Sequence, residues 1–149
     1  ETEITKVLWD IQSVLSSGEP VFLTGDFNEP SHLDWTEKAA KAGLHVIKVD
    51  FPTSRQVMKA GMKDAYRECY PDSLEFPGFT WPAGSYPETP DSSIQDPEDR
   101  IDFVYFTGTD VRVKNVERLG EDAATSEISF AEYPSDHRAV LATFELPLP

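Results

Sequence analysis

Apolar residues at Ile4, Val7, Leu8, Ile11, Val14 and Leu15 recur at the spacing of one helix face. They predict an opening helix over 3–17, with Gly18 where a C-terminal cap would sit. The unbroken run Val21, Phe22 and Leu23, between Pro20 and Gly25, predicts a strand buried on both faces. A second helix is predicted over 35–42, capped by Ser31 or Asp34 and stopped by Gly43. Shorter helical patterns follow at 52–60 and 63–70. Strands are predicted at 101–106, at 111–116, where alternation marks one wet face, and from 139 to 146. No internal repeat is present. Residues 82–99 interrupt the pattern: prolines alternate with Gly84, serines and acids from Glu88 to Asp99, a composition that predicts a long surface loop. Helix and strand are thus mixed, with strands gathered towards the end. The expected fold is an α/β (α+β) sandwich layer: one mixed, mostly antiparallel sheet with helices on one face.

Composition narrows this picture in three places. A chain of 149 residues has room for a single domain, 1–149, with one core. It has no apolar run of spanning length. The formal net charge of -14 opposes binding to a polyanion, which needs clustered Lys and Arg, although divalent cations can offset the carboxylates around a phosphate ester. The single cysteine, Cys69, excludes an internal disulfide and cannot form a thiolate metal site alone; a buried inert thiol is its expected role.

Three segments carry candidate chemistry. In Gly25-Asp26-Phe27-Asn28, an acid and an amide two positions apart project together from extended backbone at a strand end. That pair suits a metal, a water or a phosphate oxygen, but an Asx turn explains the same residues. In Arg100-Ile101-Asp102-Phe103, an acid lies inside an otherwise apolar strand, where it is costly unless paired or bonded. An ion pair with Arg100 is one account of it, although adjacent strand residues face opposite ways. In Ser135-Asp136-His137-Arg138, a histidine needs an acceptor to fix its tautomer, and Asp102 is a candidate. His32 and His45 are expected to be solvent-facing or loop residues, with His32 close enough to the Asn28 turn to rim a site. Trp9 and Trp35 fall on helical apolar faces and are expected in the core, whereas Trp81 is open between stacking on substrate and packing under the acidic loop.

Taken together, these three segments resemble the endonuclease/exonuclease/phosphatase superfamily, the metal-dependent phosphoesterases related to exonuclease III and DNase I. Gly78-Phe79-Thr80-Trp81 also falls where that family often has a Thr-Trp pair. The resemblance spans nearly the whole chain and matches the C-terminal half of the four-layer DNase I-like fold. It implies that Asp26 positions or deprotonates the attacking water and that Asn28 holds the phosphate. It further implies that Asp102 orients His137, and that His137 binds the phosphoryl oxygen and stabilises developing charge. Asp136 and Asp26 would stand at the metal, Mg²⁺ or Mn²⁺, and Trp81 beside the substrate.

The family's first half supplies a further asparagine and a metal-binding glutamate, which precede the Gly-Asp-Phe-Asn strand by more chain than stands here. Glu3, on the predicted opening helix, does not fit that role. The resemblance therefore implies a partner in the missing N-terminal half, or self-association through the sheet face that the half would cover. The expected activity is in-line hydrolysis of a phosphoester, small or lipid-like rather than duplex DNA because no basic stripe is present. A nuclease is the alternative within that class, and a catalytically inactive interaction domain is the alternative outside it.

Overall fold

In the computed structural model, residues 3–84 and 98–147 are described; most of the proline-rich acidic loop lies outside them. The opening apolar face forms two helices, α1 (Glu3–Asp10) and α2 (Gln12–Leu15). Gly18 follows at φ 80°. Strand β1 (Val21–Asp26) leads through a turn to α3 (Glu37–Lys41), then α4 (Pro52–Lys59), β2 (Lys63–Asp64) and α5 (Ala65–Cys69). After the loop come β3 (Asp102–Thr107), β4 (Arg112–Gly120), β5 (Ile128–Ser129) and β6 (Ala139–Glu145). Among the described residues no helix is long and apolar enough to cross a membrane.

The α+β class holds, with mostly antiparallel strands, but among the described residues they divide between two three-stranded sheets instead of forming one. The first has the order β1-β3-β2 and the second β5-β4-β6. Alternation along β3 explains how they pack. Phe103 and Tyr105 face a cluster with Ile4, Val57 and Met62, joined by Leu8, Val21, Leu23 and Phe27. Phe106 and Val104 face a second cluster with Ala65, Tyr66, Val111 and Val116, joined by Val140, Ala142 and Phe144 from β6. Strand β3 is thus covered on both sides, which is why it reads as a nearly continuous apolar run. Helical residues enter both clusters, not one face only, because α5 follows β2 directly and packs against β3 and β4.

Other expectations are corrected at the edges. Strand β1 lies at the edge of its sheet, so Phe22 is half-exposed and edge-on to Phe144 instead of enclosed. Helix α3 is capped by Thr36, whose hydroxyl accepts the Ala39 N–H, and not by Ser31 or Asp34. The segment at 63–70 begins as strand β2, and Asp64 caps α5 by accepting the Tyr66 and Arg67 amides. Trp9 is 75% exposed, outside the core.

Asp34 and Asp64 are consumed by a buried ionic network. The Arg100 guanidinium donates to both carboxylates, at 3.0 and 3.1 Å to Asp34 and 3.0 and 2.7 Å to Asp64. Arg67 donates to Asp34 at 2.7 Å and to the carbonyls of Tyr70, Phe76 and Pro77. All four residues are buried. Burial opposes the Arg100 charge, but the two carboxylates outweigh it and keep its pKa above the ordinary value. The network ties α5, the approach to β3 and the approach to α3 into one unit. Its geometry also excludes an Arg100–Asp102 pair, because Arg100 is already committed.

Candidate active site

The antiparallel register of β1 and β3 places Asp26 directly opposite Asp102. Both acids therefore stand at the same end of the sheet and on the same face. The chain turns away just after Asp26, and the turn is built by the acid itself: its Oδ1 accepts the Asn28 N–H at 2.8 Å. Asn28 has φ 49°, a left-handed conformation that asparagine tolerates. The Asx turn and the candidate site are thus one structure. Asn28 has left the extended backbone, contrary to the simple two-residue alternation, yet it lines the same groove as Asp26.

His137 arrives from the loop before β6. Its Nδ1 lies 2.9 Å from Asp102 Oδ2, so Asp102 is bonded to the histidine and not to Arg100. In the neutral ring Nδ1–H donates to Asp102 and leaves Nε2 as an acceptor directed elsewhere. Burial works to lower the His137 pKa, but the bond to Asp102 and the negative charges of Asp102, Asp26 and Asp136 raise it above the ordinary value. The pair's contribution to stability is consequently present below about pH 6.5 and is lost as pH rises through the elevated pKa.

Ligand atoms from Asp26, Asp102 and His137 all lie within 4.8 Å of one another, the one group of acids and histidines among the described residues that could hold a cation. Asp26 is exposed and the other two are partly buried, so the cluster opens to solvent. Carboxylate oxygens suit a hard divalent ion such as Mg²⁺ or Mn²⁺. The residues present therefore fit the ion that the resemblance implies. Asp136, expected on the metal side, is exposed beside this group but is not one of its three members; its backbone carbonyl accepts the Ala83 N–H. Trp81 is partly buried and bridges through its backbone to Asp99.

Two supports have roles that the sequence did not disclose. Glu121 receives the Arg138 guanidinium at 2.5 and 3.1 Å, anchoring the residue after His137. Burial alone would raise the Glu121 carboxyl, yet the Arg138 bond holds it down at about 2. Gly120 has no room for a side chain, because a Cβ there would meet Ser126 Oγ and the stem of Arg138. Thr80 is the second support. Its hydroxyl accepts both the Ile101 and Asp102 amides.

Behind the site, His45 is buried and stacked on Trp35 at 4.2 Å, not in solvent, and His32 Nδ1 lies 2.8 Å from Ser54 Oγ. Trp35 is partly buried and donates its indole N–H to Asp99 at 2.8 Å. Burial, helped by the Asp34 charge and opposed by the Trp35 bond, pushes the Asp99 carboxyl up from 3.8 to about 6. The folded protein thus keeps a proton that the unfolded chain releases near the ordinary value. Stability from this group falls as pH rises from about 4 to about 6 and stays reduced above. Asp99→Asn keeps an oxygen for Trp35 and removes the charge. It is expected to stabilise the protein by ~1–3 kcal/mol at neutral pH and to flatten that part of the pH dependence, as read by denaturant titration.

The chain belongs to the endonuclease/exonuclease/phosphatase family, which it matches over residues 7–137. That family is one of phosphoesterases, which generally use divalent metals. It is also similar to an uncharacterized Caenorhabditis elegans protein, 37% identical over 130 residues, which cover 84% of this chain and 40% of that relative. The chain therefore spans well under half the relative's length. No solved structure matches it.

Proposed function

We propose that this chain carries part of the reacting site of a divalent-metal phosphoesterase that cleaves a small or apolar phosphoester by in-line attack of water. The carrying observation is the convergence of Asp26, Asp102 and His137 within 4.8 Å at the open end of paired strands. Asp26 has Oδ2 left to orient the water and take its proton, since Oδ1 is engaged by Asn28 N–H. The Asn28 amide holds a non-bridging phosphate oxygen. His137, fixed through Nδ1 by Asp102, acts as the imidazolium, donating Nε2–H to the phosphoryl group and meeting the charge that develops there. Asp26 and Asp136 would hold Mg²⁺ or Mn²⁺. The bound ion would supply charge neutralisation and a more acidic water. Two carboxylates leave an ion short of oxygen ligands. We assign the remainder to water, to the phosphate and to residues outside these 149.

The substrate class follows from what borders Asp26 and Asn28. A groove of about 590 Å³ runs from them along Ile4, Val7, Leu23 and Phe27, with Glu3 as its other acid and no Lys or Arg in its lining. An apolar leaving group fits that wall, whereas the next phosphates of a nucleic acid would meet like charge. The test is Mn²⁺-dependent hydrolysis of an aryl phosphodiester and the matching monoester, alongside duplex DNA. The expected result is turnover of an aryl ester, abolished by chelation and exceeding cleavage of DNA. A preference for DNA would favour the nuclease reading.

A further inference from the structure

We propose that Thr80 is the positioning residue that sets Asp102 against His137. Those two side chains come from segments 35 positions apart and share no strand pairing, since β3 pairs with β1 and β2 while β6 pairs with β4. Something must hold the two segments in register, and residues 80–83 lie between them. On one side the fully buried Thr80 hydroxyl accepts the Ile101 N–H at 3.0 Å and the Asp102 N–H at 3.2 Å. On the other, the Thr80 carbonyl accepts the Arg138 N–H at 2.7 Å, and Ala83 N–H donates to the Asp136 carbonyl at 2.6 Å. The residues flanking His137 are thus pinned before and after it by one short segment. The same segment holds the start of β3 through a single hydroxyl.

The backbone of Thr80 is itself fixed, its N–H donating to the Asp99 carbonyl at 2.9 Å. A β-branched side chain has few χ1 choices, so the hydroxyl is held in place without a further partner. Serine could make the same bonds. Valine has nearly the same shape but cannot accept either amide, and would release the β3 start while filling the space. Thr80 touches neither substrate nor metal in this account; it acts through Asp102.

The inference rests on reading the Asp102–His137 pair as part of the reacting site, but its test does not need turnover. The probe is the His137 Nδ1–H resonance in ¹⁵N-labelled metal-free protein, assigned by its absence in His137→Gln. That proton is seen only while its bond to Asp102 shields it from exchange. It is expected in the wild type and in Thr80→Ser, and lost in Thr80→Val. Met62→Ala, which opens the first cluster away from the site, is expected to keep it and separates positioning from general loosening. Retention of the resonance in Thr80→Val, or its loss in Thr80→Ser or Met62→Ala, would overturn the proposal. If Thr80→Val does not fold, the serine variant still decides, since loss there would assign the effect to packing and not to the hydroxyl. Should the wild type hydrolyse no phosphoester while the resonance follows Thr80 as stated, the phosphoesterase reading fails and the positioning of His137 stands.

Discussion

His137→Ala lowers metal-dependent phosphoester hydrolysis by about 10²–10⁴-fold, with the fold retained. The ring is partly exposed and its side chain bonds to Asp102, so its removal opens no core. What disappears is the group that meets charge on the phosphoryl oxygens. Asp102→Asn is expected to give a loss of similar order while leaving the histidine in place. An amide no longer stabilises the imidazolium and can offer N–H to Nδ1, which holds the ring neutral and removes the positive charge that meets the phosphoryl oxygens. The two variants separate by pH. Without the Asp102 charge the raised His137 pKa falls back towards the ordinary value, so the limb of the rate profile that belongs to the imidazolium moves to lower pH. Steady-state rates across a pH series check both statements. Unchanged kcat/KM in His137→Ala would remove the ring from the mechanism.

Arg100→Met unfolds the chain or destabilises it by about 3–5 kcal/mol, a large part of the total stability of a domain this size. Arg100 is 2% exposed and is the shared partner of two buried carboxylates. Its loss leaves Asp64 with the Tyr66 and Arg67 amides, and Asp34 with Arg67. The cost is the unpaired buried charge, more than the loss of any single bond. The consequence reaches the site, because Arg100 stands two positions before Asp102 and fixes where β3 begins. Replacing Lys38 or Asp72, an exposed pair at 2.8 Å, is expected to leave the denaturant midpoint nearly unchanged. Denaturant midpoints of the two sets of variants check the contrast.

Element existence and type were largely legible where the apolar period was unambiguous. The opening helix face, the α4 segment and the strands at β3, β4 and β6 all carry their pattern locally. Sheet partition was not legible, because it depends on which face of β3 each later strand meets, and both faces of β3 are apolar. The depth of Asp34 and Asp64 was hidden for a related reason. A Ser/Thr/Asp position before a helix reads as a cap from local sequence, and Asp64 does cap α5. Only the tertiary approach of Arg100 and Arg67 turns these acids into buried charges. His45 offered no pattern at all; its burial comes from stacking on Trp35, a contact ten positions away in sequence.

The site was legible as three segments and not as a geometry. Asp26, Asp102 and His137 were recognisable by type and context, and the strand register that sets Asp26 opposite Asp102 could be drawn only once β1 and β3 were paired. Asn28 shows the limit of alternation: one residue past the strand, a left-handed turn replaced the extended backbone. Thr80 was visible as half of a Thr-Trp pair, but nothing in its neighbours announced that its hydroxyl takes two amides from a segment more than twenty positions later.

The central claim is that Asp26, Asp102 and His137 converge on one site for metal-dependent phosphoester chemistry, with the ion beside Asp26 and His137 oriented by Asp102. The most direct measurement is paramagnetic broadening by Mn²⁺ of the ¹⁵N-labelled chain, followed residue by residue. The account predicts that sub-stoichiometric Mn²⁺ first erases resonances of Asp26, Asn28, Asp102 and His137, that Mg²⁺ competes, and that Asp26→Asn abolishes the selectivity. Broadening spread over the acidic surface of this strongly negative chain, or unchanged by Asp26→Asn, would contradict it.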